Sequence, residues 1–140
     1  MIQRIQSVYL LLAIVLMAAL FTLGFPNESR AAETLPWFLP GLMLLTGATI
    51  AASALALSQY RKRESQLRTV LIAYILADLV LVIQAVGYAM AGDFGRMTDE
   101  GHVLGYVALA LPVVASVLLM LARRAIAADI ALVRSMDRLR

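Results

Sequence analysis

One acid stands in the middle of an apolar stretch: Asp78, within ILADLVLV. A carboxyl group there could bind a proton or an ion, or it could hydrogen-bond a neighbouring helix. Acids inside membranes often mark relays. Transport ordinarily also brings interrupted helices, repeated halves or a second titrating group. None is visible, and past Arg68 at its start Gln84 is the only other strongly polar residue of that run. No Lys, Arg or His lies at matching depth elsewhere, so desolvation favours the neutral, protonated acid. Two kinds of partner are in prospect. Thr46 and Thr49 lie at similar depth, and Pro112, having no N–H, frees the Ala108 carbonyl. Asp78, Thr46, Thr49 and Pro112 therefore read first as a structural polar site between helices. A proton-coupled or ion-conducting centre at Asp78 is the alternative.

Other chemistry is sparsely represented. There is no cysteine and a single histidine, His102. A metal site needs several ligands at suitable spacing, so His102 reads as a solvated loop residue. Asp99 and Glu100 are neighbours in a loop, as is common in a turn. No glycine-rich phosphate loop and no serine–histidine pairing is present. No enzymatic activity, cofactor or metal is expected. Nucleic acid is not an expected partner either, because the basic residues stand where membrane topology already requires them.

The elements that would position these residues are four long apolar runs. Of the 140 residues 62% are hydrophobic and 15% charged, and the mean hydropathy is +0.85. Soluble domains are less apolar and more charged. The runs are Ile5 to Phe25, Trp37 to Tyr60, Leu67 to Met90 and Val103 to Ala122. Each approaches the ~20 residues that cross the hydrocarbon as a helix. Pro26-Asn27 closes the first, Pro36 and Pro40 lead into the second, and a Gly-Asp-Phe-Gly segment follows the third. The first run reads as an uncleaved span: it exceeds a usual signal core, and Arg30 precedes the small pair Ala31-Ala32. The fold class is thus all-α, a four-helix transmembrane bundle over residues 1–122 with a helical tail over 123–140.

Ten of the twelve Lys and Arg residues fall at one end of these runs: Arg4, the cluster Arg61, Lys62, Arg63 and Arg68, and Arg123, Arg124, Arg134, Arg138 and Arg140. Only Arg30 and Arg96 fall at the other. That asymmetry puts both termini and the middle loop in the cytoplasm, with the bacterial inner membrane as the expected location. Trp37, Phe38, Tyr88 and Tyr106 would mark the outer interface, Tyr9 and Tyr60 the inner one. The second run is rich in small residues, among them the Gly47/Ala51 pair, and so is the fourth, with Gly105, Ala108, Ala110, Ala115 and Ser116. Small residues permit close approach, so these two spans are expected to make the tightest contact.

Two basic elements remain. The loop YRKRESQLR reads as a hairpin touching lipid phosphates. The tail from Arg123 onward has no Gly or Pro, so the fourth helix should continue into the cytoplasm. Ile126, Ile130, Val133 and Met136 form a stripe along it. Arg134, Asp137, Arg138 and Arg140 take the other side, with Asp137 spaced to pair with Arg134 and Arg140. Three surfaces could receive the stripe: anionic headgroups, the bundle itself, or a protein partner. The candidate interaction surface is Arg61, Lys62, Arg63, Arg68, Arg124, Ile126, Asp129, Ile130, Val133, Arg134, Asp137, Arg138 and Arg140. A homo-oligomer could use the small-residue faces.

The two ends also carry a resemblance. MIQRIQSVYLLLA and RRAIAADIALVRSMDRLR are similar to the termini of a bacterial four-helix integral membrane family known only as a domain of unknown function. The matching positions are Met1 to Arg4, Gln6, Leu111-Pro112, Arg124 to Ile126, Asp129, Leu132 to Ser135, Asp137, Arg138 and Arg140. The resemblance implies the same topology and an inner-membrane home. It implies no reaction, and no acid at position 78. The reading that follows is a small inner-membrane protein in a non-enzymatic accessory or scaffold role, engaging lipid or a partner through its basic cytoplasmic face.

Overall fold

A computed structural model of the chain describes residues 2–22, 25–95 and 103–137, with backbone only for 2–4, 25, 27, 136 and 137. His102, Asp99, Glu100, Arg96, Arg138 and Arg140 lie outside the described residues, and so do the side chains of Arg4, Met136 and Asp137. The helices are α1 (Ile2–Thr22), α2 (Phe25–Glu28), α3 (Arg30–Thr34), α4 (Phe38–Ser58), α5 (Arg63–Ala91) and α6 (Val103–Asp137). Four of them, α1, α4, α5 and α6, are long and apolar enough to cross a membrane.

A shared spacing explains how the four associate. The positions that form the buried seam of α1 are Gln6, Leu10, Ala13, Met17 and Leu20. On α5 they are Gln66, Val70, Ala73, Ala77, Val80, Gln84 and Gly87. On α6 they are Ala108, Pro112, Ala115, Leu119, Ala122, Ile126 and Asp129. Steps of four and three alternate throughout, a repeat of ~3.5 residues that keeps one seam against neighbouring helices at a shallow crossing angle. Off the seam the helices present large apolar side chains outward, including Val15, Leu44, Ile72, Val82 and Met90. In water such a surface would drive association. In hydrocarbon it faces a matching solvent, and the chain is a multi-pass membrane protein.

Packing closes a ring in which α1 meets α4, α4 meets α5, α5 meets α6, and α6 returns to α1. The second and fourth spans are therefore diagonal, against the expectation that they make the tightest contact. The small residues of α4 follow one another around the helix, so they define no face. Ala51 and Ala54 point outward, and a methyl group added at Gly47 would meet nothing. Close approach occurs instead between α4 and α5, where Gly87 leaves room for the Phe38 ring. Phe38 packs on Tyr88 with ring centroids 5.5 Å apart. Both are fully buried, so these two aromatics belong to the core rather than to an interfacial belt.

Helix ends shift from the expected limits for local reasons. In the last described turn of α1 the Thr22 hydroxyl donates to the Ala19 carbonyl, and Phe25 opens a separate short helix. Pro40 is the third residue of α4, where an N–H would have no helical acceptor anyway. α5 begins at Arg63 rather than Leu67: the Gln66 N–H already bonds the Lys62 carbonyl at 2.9 Å, and Glu64 suits the positive end of the helix dipole. α6 runs unbroken past Pro112 to Asp137. Its 35 residues span ~52 Å, against a hydrocarbon core of ~30 Å.

Candidate functional site

Asp78 lies one residue off the α5 seam, on the flank that faces α6, and is half-buried. The Ser116 hydroxyl of α6 donates to Asp78 Oδ1 at 2.7 Å. Tyr74 stands one turn earlier on α5. Thr46 and Thr49 differ from expectation. Each donates to its own helix, to the Leu42 and Leu45 carbonyls at 2.7 Å, and Ser53 does the same to Thr49. They sit on the buried face of α4, whereas Asp78 turns away toward α6. Pro112 is buried one turn before Ser116. The arrangement joins the third and fourth spans near their midpoints. Ser116 carried a legible signal: it and Asp78 lie equally far from the loop between their helices.

The basic end of the bundle brings most of the other candidates together. Arg63 Nη1 lies 3.0 Å from Asp129 Oδ2, and the Asp129 side chain is only 12% exposed. Asp129 thus fills a seam position of α6 as an ion pair with the first residue of α5. Arg134 Nη2 reaches Glu64 Oε1 at 2.7 Å, with both side chains largely exposed. This contact bridges the groove between α5 and α6; the expected pairing of Arg134 with Asp137 falls on a side chain outside the described residues. Ile126 is buried, Ile130 is half-buried against the core, and Leu132 and Val133 are exposed. The stripe is therefore partly consumed by the bundle itself. Arg61 stacks over Tyr60, 5.6 Å from the ring centroid, and donates to its hydroxyl at 3.1 Å. Lys62 precedes α5 as its N-cap residue, and Lys62, Arg68, Arg123 and Arg124 are exposed. Between the start of α5 and the α6 extension runs an open groove of about 800 Å³.

A third polar arrangement, at the opposite end, was not anticipated. Asp93 is fully buried. Its Oδ1 accepts from the Arg30 N–H at 3.0 Å and its Oδ2 from the Ala31 N–H at 2.9 Å. Gly92 makes this possible: its φ of 74° ends α5 in a left-handed turn that a side chain would resist. Ser29 completes the cap by accepting from the Ala32 N–H and donating to the Pro26 carbonyl. A Gly-Asp pair after an apolar run is the usual helix-stop signal. Nothing in the sequence states that the carboxylate closes a loop more than sixty residues away.

Residues 26–139 match the family described as Domain of unknown function (DUF4293). The chain belongs to this family. The DUF4293 region takes in α4, α5, α6 and the basic tail, and leaves the MIQRIQ segment outside it. No curated protein and no solved structure matches the chain.

Proposed function

We propose that this DUF4293 protein is a non-enzymatic accessory or scaffold protein of the bacterial inner membrane, with both termini and the α4–α5 loop in the cytoplasm. It works through its basic cytoplasmic face, which meets anionic lipid or a protein partner. The observation that carries this reading is the fixed extension of α6. An ion pair to α5 holds it beyond the bundle, and it displays Leu132 and Val133 to the surroundings. A tail serving only as a topology signal has no need of such support.

Asp78 fits a structural part in this scheme, because the Ser116 hydroxyl of the neighbouring span already occupies its carboxyl group. Crosslinking mass spectrometry on native membranes tests the proposal. Leu132→Asp and Val133→Asp should remove crosslinks to neighbours, and Asp78→Asn should leave them in place. The opposite sensitivity, with a pH-dependent flux in liposomes abolished by Asp78→Asn, would favour the ion-conducting alternative instead.

A further inference from the structure

The groove at the basic end has a composition that selects its occupant. Its floor is apolar, made by Leu67 of α5 and by Ala127, Ile130 and Ala131 of α6. It is open because two of those α6 side chains are only methyl groups. Arg68 and Arg134 stand on its rim. Among the described residues Arg68 has no acidic partner. Among those residues Arg134 pairs with Glu64, both so exposed that solvent screens most of the pair's strength. Such a pair can be exchanged for a phosphate, which a guanidinium binds with two parallel hydrogen bonds. Arg123 lies one turn before Ala127, is exposed, and adds positive charge at the membrane-ward end. Above the groove the surfaces of α5 and α6 remain apolar and outward-facing, through Ile72, Ile75, Met120 and Leu121.

We propose that this groove binds one anionic phospholipid, its phosphate between Arg68 and Arg134 and its acyl chains along the apolar α5–α6 surface. A free phosphate would leave the apolar floor uncovered, and a zwitterionic lipid would leave the arginine rim uncompensated. This inference rests on reading the basic end as the lipid- or partner-facing surface, and it names the ligand and its seat.

Native mass spectrometry of the full-length protein, purified in non-ionic detergent and offered phosphatidylglycerol or phosphatidylcholine, tests it. One phosphatidylglycerol should be retained in preference to phosphatidylcholine. Arg68→Gln and Arg134→Gln should each weaken retention about fivefold. Ala131→Leu, which fills the exposed groove without altering charge, should weaken it at least as much, whereas Ala131→Ser should not. Arg30→Gln, at the opposite end of the bundle, should have little effect. Retention unchanged by Ala131→Leu would overturn the proposal in favour of a diffuse basic ring. Equal retention of both lipids, or displacement by millimolar glycerol 3-phosphate, would overturn it as well. So would a photocrosslinker attached at Ser135→Cys that captures one discrete protein in native membranes rather than lipid. Crosslinks through Leu132 and Val133 do not depend on groove occupancy. Their survival beside a failed lipid test would reject the groove alone.

Discussion

Ser116 supplies the only hydroxyl among the buried positions of α6, and its bond to Asp78 crosses between spans. Interhelical hydrogen bonds in membranes contribute ~0.6 kcal/mol on average and seldom above ~1.7. Ser116→Ala should therefore lower stability by about 0.5–1.5 kcal/mol, read as unfolding in mixed micelles. Thr46→Ala and Thr49→Ala should cost less, because each hydroxyl only returns to a carbonyl of its own helix. Gly87→Ala presses a methyl group into the Phe38 ring and should cost about 1–3 kcal/mol by overpacking. Shortening Phe38 in the same chain should recover part of that loss. Asp78 stood out in the sequence because an acid in hydrocarbon is costly. Its partner was legible in depth alone: Ser116 lies equally far from the intervening loop, but a serine amid alanines and glycines carries the same signal as a close-packing residue. Which residue faces Asp78 depends on which helix is the neighbour, and no single residue encodes that.

At the scale of elements, two polar links hold the ends of the bundle. Removing one partner of the Arg63–Asp129 pair leaves the other poorly compensated in a largely desolvated position. Asp129→Ala and Arg63→Ala should each destabilise the α6 extension, with a coupling of about 1–3 kcal/mol in a double-mutant cycle. Hydrogen exchange of residues 126–135 should rise in both variants. Asp93→Ala leaves two backbone N–H groups of α3 without their acceptor, a loss of about 1–3 kcal/mol. Proteolysis within residues 26–36 should report it. The continuity of α6 was legible because the segment lacks Gly and Pro beyond Pro112. The apolar stripe and the buried seam differ by one position: the seam passes through Asp129, and Ile130 lies beside it. Hydrophobicity alone favoured the isoleucine, whereas the bundle accepts the acid because Arg63 lies within reach.

At the scale of the whole molecule, four apolar runs and their alternation followed from length and composition. The order of helices around the ring did not. That order comes from the 3.5-residue seams, which decide neighbours by shape, while the run of small residues in α4 suggested a partner that lies diagonally across the ring. The lack of cysteine makes the proposed orientation easy to test. A cysteine at Ser65 should react with an impermeant thiol reagent only after the membrane is opened, and one at Glu28 should react from outside. Reaction of the Ser65 cysteine in intact cells would reverse the topology.

The clasp between Asp93 and the start of α3 also imposes an order of events. Residues 26–34 leave the ribosome long before residue 93 exists. They cannot be finished until the third span has carried its own far end to the same side of the bundle. A loop made of early residues is thus completed late, and its closure reports that three crossings have been made in register.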